Sequence, residues 1–215
     1  MNGLSWFADF YRDGGFYMHL ILLTGVISLA FVAERIWVLW HATAWNGRKL
    51  LDDLVRACER GDVNGARNLS LQARTPLGKI AHAMLSSGSR DDMQLRASAE
   101  DAATLCLPPL TRNLSHLALL ANVVTLLGLL GTVFGLITAF AAVGAADPSQ
   151  RSALLASGIS QKLNTTGFGL LIAVPLLVVH GWLVSRVEGI VQQADECVVR
   201  LSGALGDARE SRRSA

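Results

Sequence analysis

Charged side chains are scarce in this chain: Asp, Glu, Lys and Arg together make up 17% of 215 residues, against roughly 25% in an ordinary soluble domain. The deficit falls in three separate stretches, which excludes a uniformly apolar globule and marks membrane spans. Neither sign of charge prevails, with a formal net charge of +2, so nothing in the balance points to nucleic acid as a partner. Cysteine is sparse as well. Cys58, Cys106 and Cys197 are odd in number, widely spaced and without a CxxC pair, which excludes a disulfide framework or a thiolate metal site and leaves ordinary reduced thiols. No internal repeat or low-complexity block is present. No nucleophile–base–acid set and no cluster of metal ligands falls near either end of the apolar stretches, so the chain reads as a protein without enzymatic chemistry, cofactor or metal.

What is present is apolar: 51% of residues are hydrophobic and the mean hydropathy is +0.38. A helix crosses the ~30 Å hydrocarbon core in about 20 residues. The first candidate span is 16–40, uncharged up to Ala33, then Glu34 and Arg35, with Trp37 and Trp40 forming an interfacial end. It lacks the basic leader of a signal peptide. The second is 116–146, with no charge from Leu117 to Ala146, and the third is 154–186, interrupted by Lys162 and closed by Arg186. Basic residues crowd the segment 41–115 (Arg48, Lys49, Arg56, Arg112) and the segment 187–215 (Arg200, Arg209, Arg212, Arg213). The N-terminal 1–15 carries only Arg12 and the link 147–153 only Arg151. The positive-inside rule then puts 1–15 and 147–153 in the periplasm, and 41–115 and 187–215 in the cytoplasm. The expected fold is all-α: three transmembrane helices with a cytoplasmic helical extension.

The segment 41–115 carries helix signals. Gly61-Asp62 reads as a helix stop followed by an N-cap, and Thr75-Pro76 as a cap with proline at the first helical position. Leu50, Leu51, Leu54 and Val55 recur at helical spacing. The Ser86–Ser89 stretch around Gly88 reads as a turn. A further helix runs toward Pro108-Pro109, whose missing amide protons should kink the approach to the second span. The segment 187–215 is expected to form a C-terminal helix and tail, whose last residues, Gly206 to Ala215, are small and charged and should fray.

In the second span Thr125, Gly128, Thr132, Gly135, Ala139 and Ala142 fall on one helical face. Small residues let transmembrane backbones approach closely, so Gly128, Gly131 and Gly135, with Gly169 of the third span, are candidate packing positions. The hydroxyl of Thr132 serves either that seam or a wet lumen. The third span is polar in its outer half: Gln161, Lys162, Asn164, Thr165 and Thr166 precede Gly167 and Gly169. Amides and hydroxyls at that depth need partners. They either hold helices together or line a hydrated path, because a hydroxyl both donates and accepts. Lys162 can snorkel to the interface. Pro175 should bend the helix, and His180 reads as a packing residue.

LLGLLGTVFGLITAF (Leu126–Phe140) resembles the glycine-rich second span of ExbB and TolQ proteins, in the family of proton-channel motor subunits that also includes MotA. GISQKLNTTGFGLLIAVPLLVVH (Gly158–His180) resembles their third span, with weaker matches in GG…AERIWVL and TPLGKI. The resemblance implies a ring, a homopentamer, in the bacterial inner membrane. Its pore would hold an ExbD- or TolR-like single-span partner bearing an intramembrane aspartate, with work passed to a TonB-like or other envelope component. The family's pore threonines fall on Thr132 and Thr166, with Gln161, Asn164 and Thr165 along the same candidate path. The family's third-span glutamate falls on Gln161, a departure that removes a titrating carboxylate from this subunit. A MotA-like motility stator is the nearest rival, though such chains have four spans; a non-conducting scaffold is another. Apart from Glu34, no carboxylate lies in any span, so the group that binds and releases the ion should come from the partner.

Overall fold

The computed structural model describes residues 10–12, 14–42, 47–88 and 91–213, and is helical throughout its regular structure. Eight helices follow one another among the described residues: α1 (Phe16–Ala42), α2 (Gly47–Glu59), α3 (Val63–Gln72), α4 (Pro76–Ser86), α5 (Asp92–Cys106), α6 (Pro108–Thr111), α7 (Leu114–Ala145) and α8 (Arg151–Arg213). The chain divides into two compact units, one built from residues 1–34 and 113–181, the other from 35–112 and 182–215. Three helices are long and apolar enough to cross a membrane.

In the first unit, Met18 and Ile21 of α1 meet Val124 of α7 and Phe168 and Ala173 of α8 in a small buried cluster. Hydroxyls inside α1 are satisfied along the helix, Thr24 donating to the Leu20 carbonyl at 2.8 Å and Ser28 to that of Thr24 at 2.7 Å. Burial along α7 steps through Leu117, Ala121, Val124, Gly128, Gly131, Thr132 and Gly135, a stripe of roughly 3.5-residue period that packs as a single seam. Leu126, Leu129, Val133, Phe134 and Ile137 lie outside it and are exposed. Of the small-residue face expected on this helix, Thr125 and Ala139 are half-buried and Ala142 is exposed. The close approach continues past Gly135, since a Cβ on Gly158 of α8 would stand 2.8 Å from Ala139 Cβ.

In the second unit, Leu50, Leu51, Leu54 and Cys58 of α2, Ile80, Ala81 and Met84 of α4, Leu95 and Ala99 of α5, and Ala194, Cys197 and Leu201 of α8 form one core. The stops between these helices have local causes. Gly61 takes φ +79, a left-handed conformation that glycine adopts without strain. Asp62 then caps α3 by accepting from the Gly65 amide at 2.9 Å, and Thr75 caps α4 by accepting from the Gly78 amide at 3.2 Å, with Pro76 in the first turn. Gly88 is left-handed too; Ser89 lies outside the described residues. Between α5 and α7 the chain is broken rather than merely kinked. The proline pair opens the four-residue α6, and Asn113, at φ +63, redirects the backbone into α7.

The third span and the helix expected after it are one continuous element, α8, which runs past Arg186 without a break to Arg213, and the fraying expected from Gly206 is replaced by helix up to that residue. Leu183, Val187, Ile190, Ala194, Cys197, Leu201 and Ala204 are all buried, three or four residues apart, so one apolar stripe carries the helix past the point where the sequence turns polar. Residues 1–9, 13 and 214–215 of the terminal segments lie outside the described residues.

Candidate functional site

The seam between α7 and α8 rests on missing side chains. A Cβ on Gly128 would stand 3.3 Å from the Thr165 carbonyl oxygen and from Thr166 Cα, and one on Gly169 would stand 3.0 Å from the Val124 carbonyl oxygen and 3.2 Å from Gly128 Cα. These neighbours are backbone atoms that cannot rotate aside. At Gly131 a Cβ would meet Thr165 Cγ2 at 2.5 Å, and at Gly135 it would collide with the stem of Lys162. The lysine's aliphatic chain thus lies across the notch that Gly135 leaves, half-buried.

This close approach brings Thr132 and Thr166 together. Thr132 Oγ1 donates to the Gly128 carbonyl at 3.0 Å, four residues back in its own helix, and reaches the Lys162 carbonyl at 3.4 Å. Thr166 Oγ1 donates across the seam to Gly128 at 3.0 Å, and the two hydroxyls also bond each other. Lys162 lies four residues before Thr166. Each threonine therefore reaches the carbonyl that would be the other's default partner. Two hydroxyl hydrogens serve three acceptors, so the donor direction can reverse while the heavy atoms stay in place. The pair can orient and relay a hydrogen bond, but it cannot take up a proton near neutral pH.

The remaining candidates separate around this pair. Thr165 is fully buried, and among the described residues its Oγ1 has no hydrogen-bond partner. Asn164 is half-buried and Gln161 exposed, so neither joins the two hydroxyls. Gly167 is open, with nothing within 4 Å of the position a Cβ would take. At the far end of α7, the Asn113 side-chain amide donates to Glu34 at 3.3 Å, so the carboxylate in the first apolar helix meets the turn that starts the second. In the other unit, Arg35 is 3% exposed and donates to the Pro109 carbonyl at 3.1 Å. The sequence shows the Glu-Arg pair and the Pro-Pro break. Their pairing across more than seventy residues has no local signature.

Three helices long and apolar enough to cross a membrane, two of them joined at a glycine seam with a threonine pair, define a multi-pass helical membrane protein. The model of the MotA/TolQ/ExbB proton channel family matches residues 72–196, well over half the chain and including the whole seam, and the chain belongs to this family. Among its relatives, a TolQ protein of the Tol-Pal system from Haemophilus influenzae is 35% identical over 86% of this chain and 87% of its own length. An ExbB homolog of biopolymer transport from Methanothermobacter thermautotrophicus is 27% identical over 91% of this chain and 69% of its own. The biopolymer transport protein exbB1 of Vibrio cholerae is 42% identical over 43% of this chain and 41% of its own. The chain is thus a multi-pass membrane protein of the ExbB/TolQ type.

Proposed function

We propose that this chain is the ring-forming subunit of an ion-motive-force-driven complex in the bacterial inner membrane. A pentamer of copies encloses the single helix of an ExbD- or TolR-like partner, and work passes to a TonB-like or other envelope component. The N-terminus faces the periplasm and the C-terminus the cytoplasm, as the distribution of arginine and lysine favours. The ion path runs by Thr132 and Thr166, with Asn164, Thr165 and Gln161 in the polar half of α8. The observation that carries this reading is the reciprocal hydroxyl pair, held at a glycine seam inside the family's matching spans. Gln161 stands where the resemblance expects a glutamate, so the partner's intramembrane aspartate supplies the titrating group.

The test is proton flux in liposomes, with and without the co-assembled partner. The lone oligomer should conduct nothing. In the complex, Thr132→Val and Thr166→Val keep side-chain shape but remove the hydroxyl, and each should lower flux by about tenfold, the effect of losing one such hydrogen bond. Unchanged flux in both variants, with assembly intact, would leave the hydroxyls as helix glue and favour a non-conducting scaffold.

A further inference from the structure

The second unit contains an open cavity of about 450 Å³ lined by Ser70 and Leu71 of α3, Arg74 of the α3–α4 link, and Lys79 and His82 of α4. Two exposed basic residues, Arg74 and Lys79, and the half-buried His82 belong to its wall, and among the described residues no carboxylate lines it. Among the described residues neither Arg74 nor Lys79 makes an ion pair, whereas Arg96 and Arg200 in the same unit are matched to Asp92 and Asp52. Both cations are therefore available from solvent to an anion that enters the hollow.

The floor of the cavity is built rather than incidental. Gly78 lets α4 pass close to the end of α3: a Cβ there would stand 2.8 Å from the Ser70 carbonyl oxygen. Ser70 is 2% exposed and gives its only hydrogen to the Arg67 carbonyl at 2.7 Å. Its oxygen also lies 3.3 Å from His82 Nδ1, within hydrogen-bond reach. Ser86 holds the other ring nitrogen at 3.1 Å. The imidazole is thus locked in place by a serine on each side.

Arg74 is the third observation. It follows the end of α3 at φ +45, the left-handed position after a helix where glycine is favoured and a side chain is strained. Strained backbone that persists points toward a use for the side chain it carries. Arg74, whose guanidinium fork of donors matches paired oxygens on a phosphate, thus belongs to the same cavity wall as Lys79.

We propose that this cavity binds a small phosphate-bearing anion. Its volume lies in the range of small-molecule sites, and Leu71, 56% exposed, offers an apolar flank for the organic part of the ligand. The phosphate comes either free in solution or on an anionic lipid headgroup, and the same residues serve either source. The inference does not depend on ion conduction.

Full-length protein in detergent is titrated calorimetrically with inorganic pyrophosphate, and its melting temperature is compared in nanodiscs of phosphatidylcholine with and without phosphatidylglycerol. Saturable pyrophosphate binding identifies a soluble ligand; a melting temperature raised by phosphatidylglycerol alone identifies a headgroup. In either case Arg74→Gly and Lys79→Ala should each abolish the response or weaken it by about tenfold or more, while Arg96→Ala leaves it intact. Arg74→Gly relieves the left-handed strain, so its ligand-free melting temperature should equal or exceed that of the parent, which separates lost binding from lost folding. No response to either probe, or a response that these variants leave unchanged or that Arg96→Ala reduces equally, overturns the proposal.

Discussion

Two single-methyl additions on α8, two residues apart, should act in opposite directions. Gly169→Ala places its Cβ 3.0 Å from the Val124 carbonyl oxygen and 3.2 Å from Gly128 Cα. No side-chain rotation relieves contacts with backbone, so α7 and α8 must separate by a few tenths of an ångström. Overpacking of this kind costs about 1–3 kcal/mol, and the gain of alanine over glycine in a helix returns only about 0.5–1 kcal/mol. The net loss is about 1–2 kcal/mol. Gly167→Ala meets nothing within 4 Å and keeps only the helix gain, so the two variants should differ by roughly 2 kcal/mol. Reversible unfolding of the purified chain in mixed micelles, followed by far-ultraviolet circular dichroism, measures the difference. If Gly169→Ala proves as stable as Gly167→Ala, the α7–α8 seam is not held by backbone proximity and the account of the site fails with it.

Two further outcomes concern the second unit. Burial, with smaller contributions from Glu59 and Asp62, pushes the Cys58 thiol from an ordinary 9.0 up to about 11. The fold favours the protonated thiol, so this contribution is complete below about pH 9 and is lost as pH rises through 11; Cys58→Ala should flatten the melting temperature over that window, and an unchanged slope would refute the assignment. Thr75→Ala removes the acceptor for the buried Gly78 amide and should cost about 1 kcal/mol, measured by chemical denaturation against a Thr75→Ser control that retains the cap.

The three long helices and the two caps at Asp62 and Thr75 are legible in the sequence because each has a local cause: a run of apolar residues, or an oxygen placed just before a helix. The break at Pro108–Asn113 is half legible. Proline announces it, but the left-handed turn at Asn113 is completed by Glu34, nearly eighty residues away. A helix after Arg186 is legible, but its continuity with the third span and its extent past Gly206 are not, because they depend on an apolar stripe that docks on α2, α4 and α5. At the site, spacing places Thr132 and Thr166 in mid-span but does not show that they touch, since contact depends on the crossing of two helices. Lys162 presents the same difficulty: a charge is visible in the sequence, whereas the fit of its stem over Gly135 is not. The cavity residues Ser70, Arg74, Lys79 and His82 are ordinary types in ordinary positions, and only the packing of α3 on α4 gathers them.

The seam also accounts for threonine and glycine occurring together in these spans. A hydroxyl in hydrocarbon needs a partner, and the simplest is the carbonyl four residues back, as Thr125 uses that of Ala121 at 3.0 Å. That arrangement closes the hydroxyl on its own helix and joins nothing. Thr132 keeps its own Gly128 carbonyl at 3.0 Å and also reaches that of Lys162, while Thr166 shares Gly128 across the seam, which is possible only because Gly128 brings the two backbones within reach. This sharing links two helices through hydrogen bonds whose direction can reverse without moving a heavy atom. A valine at either position would preserve the packing and remove that freedom; an alanine at Gly128 would move the helices apart and remove the contact itself. What the pair still lacks is a group that changes charge. Glutamine stands at position 161 and Glu34 is engaged by the turn at Asn113, so on the proposed function the binding and release of an ion falls to a carboxylate of the partner.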